Sequence, residues 1–338
     1  YYDYIRGFQS IRITNYRNSS IANTRYIHYQ ATLPDRNSVP TMPGNYLLKV
    51  FLNNDTSQLL FTKRFLVVDP RVAVAAKLVQ PFKVHSLRVN QRVQAEVSTL
   101  NTQINTLSPQ DLKVVILQNN IWPSAVLIDR PTIYRGNYYL YNDDATEFAA
   151  GREWRWFDLR SLRLRGDRVQ NIVDTSKRTE VYINTDGERR NLLYTYYRDQ
   201  NGLFTIVNMD GYNPYWQGDY GYVHFTYTPP GNRPYPEKDL YIFGELTNYA
   251  SDEASRMIFN EEKGVYEGTL FLKQGYYDYT YVTVETKEGS PGFLSFETTE
   301  GNFNTTENNY TVLIYYRAFG ARADELIGFA QLSSTILR

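Results

Sequence analysis

The stretch that decides the fold covers residues 239–285 and reads DLYIFGELTNYASDEASRMIFNEEKGVYEGTLFLKQGYYDYTYVTVE. Before a break at residues 273–275, apolar or small residues recur at every second position: Tyr266, Gly268, Leu270 and Leu272. After the break, tyrosines recur in the same way: Tyr277, Tyr279 and Tyr281. A period of two is typical of a β-strand, because successive side chains point to opposite faces. The stretch therefore predicts two paired strands.

The same pattern extends over the rest of the C-terminal part. Further strands are predicted at residues 240–243, 256–259 and 310–317, and residues 323–330 fit either a last strand or a short helix. Upstream, residues 228–236 read TPPGNRPYP, and four prolines in nine residues stiffen a chain toward an extended conformation. We interpret this segment as a linker, and residues 231–338 as a C-terminal immunoglobulin-like early-set domain.

Two more domains are predicted before the linker. The boundary between them is placed at Asp69-Pro70, because proline cannot continue a central strand. Residues 1–69 form an N-terminal β-sandwich domain that is expected to lack its first strands, since few strand patterns precede the boundary. Residues 70–230 form a central β-sandwich domain, with strands predicted at residues 84–97, 112–118, 138–141, 154–162, 181–184, 194–197 and 220–227. The fold class is thus all-β, with tandem immunoglobulin-like, early-set β-sandwich domains joined by short Pro-rich linkers.

The composition narrows the classes of function. The 338 residues include 31 Tyr, 4 Trp and no Cys, and 36 Lys plus Arg balance 36 Asp plus Glu. A net charge of zero gives no general attraction to nucleic acid, so no nucleic-acid partner is expected. The lack of cysteine excludes disulfides, thiolate catalysis and cysteine metal sites. No apolar run is long enough to cross a bilayer, so no membrane insertion is expected.

No motif for catalysis, cofactor binding or metal binding occurs in the chain. The three histidines, His28, His85 and His224, lie in separate predicted strands without neighbours at ligand spacing. Glu153 and Asp158 are the best carboxylate pair for a glycosidase, but their odd separation places them on opposite faces of a regular strand. Catalysis at this pair would need a bulge. We therefore expect a protein that is not an enzyme, with no cofactor and no metal.

An aromatic loop at residues 210–220 is the strongest candidate for binding. Its sequence is DGYNPYWQGDY, and Tyr212, Tyr215 and Trp216 form the candidate interaction surface. Tyrosine and tryptophan in loops often carry binding energy, because they contribute large contact areas at low entropic cost. The open alternative is that these rings fold back and cover the end of the sandwich.

The tyrosine run at residues 276–281 resembles a ligand-binding platform at first. In a strand, however, Tyr277, Tyr279 and Tyr281 share one face, and one of the two faces must lie on the core. All four tryptophans precede the linker, which lowers the expectation of a flat aromatic sugar site in the C-terminal domain. Carbohydrate binding by that domain, with a glycan as the partner, remains the alternative function.

Several segments resemble the type IX secretion system plug protein family of Bacteroidetes. They are YRNSSIANTRYIHY at residues 16–29, PGNYLLKV at 43–50, LFLKQGYY at 270–277 and ENNYTVL at 307–313. The resemblance implies a non-enzymatic protein of the periplasm, associated with the outer membrane. It also implies that the partner is the outer-membrane type IX translocon barrel, whose periplasmic opening the protein occludes. The family offers no short motif for the contact residues.

Overall fold

The structure, a computed structural model, describes residues 4–175, 178–286, 292 and 294–337. Within these ranges every regular element is a β-strand or a 3-10 helix, so the predicted all-β class is confirmed. The 3-10 helices are Val84–Ser86, Pro109–Asp111, Trp122–Ser124, Asp144–Thr146, Pro230–Asn232, Glu245–Thr247 and Ser334–Leu337. The strands of the described residues are β1 Ile5–Gly7, β2 Asn15–Asn18, β3 Ile27–Gln30, β4 Ser38–Pro40, β5 Gly44–Phe51, β6 Leu59–Val67, β7 Ala73–Val79, β8 Asn90–Ser98, β9 Leu112–Gln118, β10 Val126–Ile128, β11 Ile133–Arg135, β12 Tyr138–Tyr141, β13 Glu147–Ala149, β14 Arg155–Asp158, β15 Val169–Asp174, β16 Thr179–Ile183, β17 Asp186–Gly187, β18 Phe204–Thr205, β19 Tyr220–Thr228, β20 Lys238–Phe243, β21 Arg256–Asn260, β22 Val265–Lys273, β23 Tyr276–Glu285, β24 Leu294–Ser295, β25 Asn309–Tyr316 and β26 Glu325–Ser333.

The largest sheet curls into a nearly closed barrel. Its strand order is β14-β23-β20-β21-β22-β19-β16-β15, with β17, β18 and β24 attached at the sides. All pairs along this order are antiparallel except β16 with β19. The two ends meet where the Asp158 N–H donates to the Asp167 carbonyl at 3.0 Å. Trp156 Nε1 reinforces the closure by donating to Asp167 Oδ2 at 2.7 Å.

Side chains fill the inside of the barrel. Strand β19 contributes every second residue to this core, namely Val223, Phe225 and Tyr227. Strand β23 contributes Tyr277, Tyr279 and Tyr281, which are at most 2% exposed and which we call the tyrosine ladder. The alternation predicted for β22 and β23 is therefore present, and the tyrosine face lies on the core.

The tyrosine ladder ends on a buried charged cluster. Tyr279 and Tyr281 donate their hydroxyls to Asp186 Oδ2 at 2.5 and 3.0 Å. Arg155 pairs with Asp186 at 2.6 Å and with Glu300 at 3.0 Å. Because buried hydroxyls and charges are costly without partners, this network lets the ladder lie in an apolar interior.

A β-sandwich adjoins the barrel, and it uses both ends of the chain after residue 72. Its two sheets have the orders β10-β9-β25-β26 and β11-β12-β8-β13, with β7 paired to β8. Strand β25 pairs with β9 over seven residues, so the last two strands complete a sheet that begins near residue 112. Of the segment at 323–330, which was ambiguous in sequence, residues 325–330 lie in strand β26.

The predicted tandem immunoglobulin-like arrangement and its linker are not confirmed. Strand β19 pairs with β22 across the Pro-rich segment, from Tyr220↔Lys273 to Tyr227↔Tyr266. The segment itself is packed, since Tyr235 donates its N–H to the Tyr266 hydroxyl and its own hydroxyl lies 2.7 Å from that of Tyr227. The proline-stiffened segment therefore packs against the barrel.

Two strand predictions in the central region are wrong. Residues 194–197 form no strand, because their tyrosines reach outward to distant partners, with Tyr194 donating to the Thr305 carbonyl at 2.9 Å and Arg189 donating to the Tyr197 hydroxyl at 2.8 Å. Residues 84–86 form a 3-10 helix, and the strand predicted from residue 84 begins at Asn90.

Residues 4–69 form three separate strand pairs, β1–β4, β2–β3 and β5–β6. Among these residues Gly44 alone is buried, so this region has no apolar core comparable to those of the barrel and the sandwich. It is fixed to the rest of the molecule by individual contacts. Tyr315 donates to Asn45 Oδ1 at 2.6 Å, and the Arg64 guanidinium lies 3.9 Å from the centre of the Trp122 ring.

Candidate interaction surface

The aromatic loop, which in the structure covers residues 208–219 because Tyr220 already belongs to β19, is shaped by its own polar side chains. The Tyr215 N–H donates to Asn213 Oδ1 at 2.9 Å, which forms a turn typical of asparagine. Gln217 Oε1 accepts from the N–H groups of Tyr212 and Asn213. At Gly218 a Cβ would lie 2.7 Å from the Pro214 carbonyl oxygen, so the loop closes tightly only with glycine there.

One end of the loop is anchored to the barrel by Asp210. Its carboxylate accepts from the Ser161 hydroxyl at 2.8 Å, the Leu162 N–H at 2.9 Å and Gln274 Nε2 at 2.7 Å. The neighbouring Met209 N–H donates to the Arg160 carbonyl at 2.8 Å. The aromatic loop is therefore held beside the loop at residues 159–166.

The hairpin formed by β2 and β3 packs on the other side of the aromatic loop. The Ser20 N–H donates to the Trp216 carbonyl at 2.8 Å, and the Arg17 guanidinium lies 4.6 Å from the centre of the Trp216 ring. His28 stacks on Tyr215 with ring centres 5.3 Å apart. Two of the three aromatic residues singled out from the sequence thus contact the N-terminal region of the same chain.

The three candidate residues differ in exposure. Tyr212 is 100% exposed, Tyr215 is 51% exposed, and Trp216 is partly buried under Arg17. The structure brings them together on one loop, but only Tyr212 has its whole side chain open to solvent. Trp216 thus covers an internal contact and Tyr212 is exposed, while binding of a partner by this loop stays a prediction.

Asp219 clamps the hairpin to the loop. Its carboxylate accepts from the N–H groups of Asn23 at 2.6 Å and Thr24 at 3.0 Å, and from that of Tyr220 at 2.8 Å. Burial would raise the pKa of Asp219, but these hydrogen bonds lower it below its ordinary value. The Asp219 carboxylate is therefore ionised over the physiological pH range, and it accepts hydrogen bonds from the hairpin.

Lys273 forms a second clamp beneath the hairpin. Its ammonium lies 3.9 Å from the ring centre of Tyr26 and 5.0 Å from that of Tyr220, and it donates to the Tyr215 carbonyl at 2.8 Å. Burial lowers the pKa of Lys273 to about 8, although Asp219 opposes the shift. Burial also raises the pKa of Tyr26 to about 12. Lys273 thus makes cation–π contacts with the rings of Tyr26 and Tyr220.

Ile21 was missed by sequence reasoning, and it lies directly beside the aromatic loop. It is 76% exposed, and a Cβ on Gly211 would lie 3.6 Å from its Cδ1 atom. Its φ of +58° is a left-handed conformation that is unfavourable for a β-branched residue. No local sequence signal predicts this conformation. Turn-forming residues normally occupy it, and isoleucine is not one of them.

The other sites considered from the sequence do not face solvent. Glu153 is 1% exposed and accepts from the Tyr194 hydroxyl, while both Asp158 oxygens are held by Arg160. Tyr277 and Tyr279 lie in the barrel core, so they present no ring face to a glycan. In the described part of the chain, no group of three potential metal ligands is close enough to hold an ion, and no helix is long and apolar enough to span a membrane.

The barrel and the sandwich define an all-β protein, and the exposed aromatic loop is its candidate interaction surface. The family model described as "Type 9 secretion system plug protein 1st domain" matches residues 1–69. The crystal structure of a hypothetical protein from Parabacteroides merdae superposes with a TM-score of 0.91 at 33% identity, covering 98% of this chain and 82% of that one. No curated protein matches the chain. Residues 1–69 therefore belong to the first-domain family of type IX secretion system plug proteins.

Proposed function

We propose that the protein is a non-enzymatic periplasmic plug that occludes the periplasmic opening of the outer-membrane type IX translocon barrel. The family match over residues 1–69 supports a role in type IX secretion, and the exposed Tyr212 on a fixed loop is the observation that supports a docking role. A plug needs a rigid body, and a barrel filled with side chains supplies one. Its contact must be reversible, which favours a mixed polar and aromatic surface over a large apolar one.

The carboxylates weighed for catalysis support a non-enzymatic role. Glu153 is buried and accepts a hydrogen bond from Tyr194. It lies in a different environment from Asp158, in agreement with the odd separation of the two residues in the sequence. Asp158 forms a two-point contact with Arg160, at 2.9 and 2.6 Å. These internal contacts account for both side chains without a substrate.

Co-purification with the translocon barrel tests the proposal. Affinity-tagged protein is used to capture detergent-solubilised outer membranes, and we expect the type IX barrel to be the enriched component. Tyr212→Ala should weaken that capture at least tenfold, because exposed aromatic anchors dominate interface energies. Phe319→Ala is the matched control, since Phe319 is 93% exposed elsewhere on the surface.

Cells lacking the gene provide the second measurement. A barrel without its plug should admit a large hydrophilic antibiotic or dye through the outer membrane, and complementation with the wild-type gene should restore the barrier. Unchanged permeability together with no captured barrel would refute the plug function.

A further inference from the structure

The aromatic loop is one part of a larger surface that carries unpaired positive charge. Three neighbouring segments form it: the β2–β3 hairpin at residues 15–30, the loop at 159–166 and the aromatic loop at 208–219. We call it the three-loop surface. It contains five arginines, two aspartates and no lysine or glutamate, whereas the whole chain has equal numbers of acidic and basic residues. Both aspartates, Asp210 and Asp219, are occupied by hydrogen bonds within the surface.

Four of the five arginines have no carboxylate partner among the described residues. Arg160 pairs with Asp158, but the exposed Arg17, Arg25, Arg163 and Arg165 form no ion pair there. Arg165 donates only to Asn171 Oδ1, at 3.3 Å, and Arg17 lies over the Trp216 ring. The three-loop surface therefore offers several guanidinium groups whose donors are free for an external acceptor.

Exposed apolar side chains lie on the same three segments. Their exposed fractions are 76% for Ile21, 71% for Leu164, 66% for Met209, 100% for Tyr212 and 51% for Tyr215. Exposing apolar side chains to water is unfavourable. One of these residues, Ile21, is also held in a strained backbone conformation. Apolar side chains between unpaired arginines are the composition expected of a binding surface.

The geometry points to a protein partner with an acidic, carboxylate-bearing rim, docked on the three-loop surface. This inference rests on the proposed plug function and specifies the chemistry of the partner's contact site. Arginine, tyrosine and methionine are enriched at protein interfaces, whereas lysine and acidic residues are depleted there. An anionic membrane would attract lysine as well as arginine, yet these segments contain no lysine. The planar guanidinium matches a carboxylate through two parallel hydrogen bonds.

Charge reversal tests this inference with the purified full chain and the purified type IX translocon barrel in detergent. The double variant Arg163→Glu/Arg165→Glu should bind the barrel at least tenfold more weakly than wild type. Raising the salt concentration should weaken wild-type binding more than variant binding, because the variant forms fewer attractive charge pairs that salt can screen. The matched control is Arg130→Glu/Arg233→Glu, since both arginines are exposed, outside the three-loop surface and without an ion pair among the described residues. The control should bind within twofold of wild type.

The outcomes separate this inference from the function on which it rests. If wild type binds and the Arg163/Arg165 variant binds equally well, the acidic rim is refuted and the plug function stands. If wild type does not bind the barrel, the plug function itself fails. Vesicles of phosphatidylcholine with phosphatidylglycerol are the remaining probe: wild-type binding that the variant loses, with barrel binding unchanged, would overturn the inference in favour of a lipid surface. Equal unfolding midpoints of all variants verify that each is folded.

Discussion

Tyrosine is abundant in two regions of this molecule, the ladder of β23 and the aromatic loop, and the two regions use it in opposite ways. Tyr277, Tyr279 and Tyr281 are at most 2% exposed and donate their hydroxyls within the barrel, whereas Tyr212 is 100% exposed. The difference comes from the backbone. Regular alternation in a curled sheet turns one face inward, while an Asn-Pro turn projects a side chain away from the body. Residue type therefore does not distinguish a core position from an exposed one.

Removing one ring from each region should give the largest contrast. Tyr279→Ala leaves a cavity in the barrel and removes one hydrogen bond to the buried Asp186, and we expect a loss of about 3–5 kcal/mol in the free energy of unfolding. Tyr212→Ala should leave the unfolding midpoint unchanged, because its side chain contacts little of the protein. Urea unfolding followed by circular dichroism measures both. Similar losses in the two variants would show that the aromatic loop contributes to the core.

The opposite face of β23 should make stability depend on pH. Asp278 is 0% exposed, and burial raises its pKa to about 7, although hydrogen bonds from Gln200 and Gly202 oppose the rise. Burial likewise raises the pKa of Asp199 to about 6. Between pH of about 4 and about 7 the folded state keeps protons that the unfolded state has lost, so stability falls as the pH rises.

Asp278→Asn should remove most of this dependence, because the shift at Asp278 alone corresponds to about 4 kcal/mol. Unfolding midpoints measured at pH 4.5, 6 and 7.5 test the prediction. The same change at the exposed Asp129 is the control and should leave the slope unaltered. The prediction would be contradicted if the free energy of unfolding of the wild type rose from pH 4.5 to 7.5 by more than that of the control variant.

Local patterns in the sequence predicted what depends on local structure. Alternation over residues 265–285 identified β22 and β23, whereas the aromatic pattern at residues 210–220 left open whether the ring of Tyr212 is exposed or folded back. The closure of the barrel was not predictable, because no local signal encodes the parallel pairing of β16 with β19 or the return of β25 to β9. Such long-range pairings follow from the packing of the whole chain.

The site could be predicted only in part for the same reason. Tyr212, Tyr215 and Trp216 were recognisable from their loop, but the carboxylate of Asp219 contacts Asn23, which lies 196 residues away in the sequence. The unpaired arginines at 163 and 165 belong to a separate segment that joins the surface through Asp210. Residue type and spacing within a loop do not reveal which distant segment it meets.

Breaking the clamp at Asp219 should free the hairpin without unfolding the barrel. Asp219→Ala removes the charged acceptor of the Asn23 and Thr24 N–H groups, which costs about 1–3 kcal/mol locally. We expect faster tryptic cleavage after Arg25 and an unchanged unfolding midpoint. Asp55→Ala is the control, because Asp55 caps a turn in the same N-terminal region without contacting the barrel. Equal cleavage rates in the two variants would mean that Asp219 does not hold the hairpin.

Ile21 gives the smallest effect on stability, and that effect should have the opposite sign to its effect on binding. Its φ of +58° suits asparagine better than a β-branched residue, so Ile21→Asn should stabilise the hairpin by about 1 kcal/mol and slow tryptic cleavage after Arg25. The same variant loses an exposed apolar contact of the three-loop surface, so its binding to the translocon barrel should weaken. Ile27→Asn is the matched control, because Ile27 is 48% exposed in strand β3 and has no strain to relieve. A variant at residue 21 that is both more stable and equally tight in binding would show that the exposed isoleucine contributes nothing to docking.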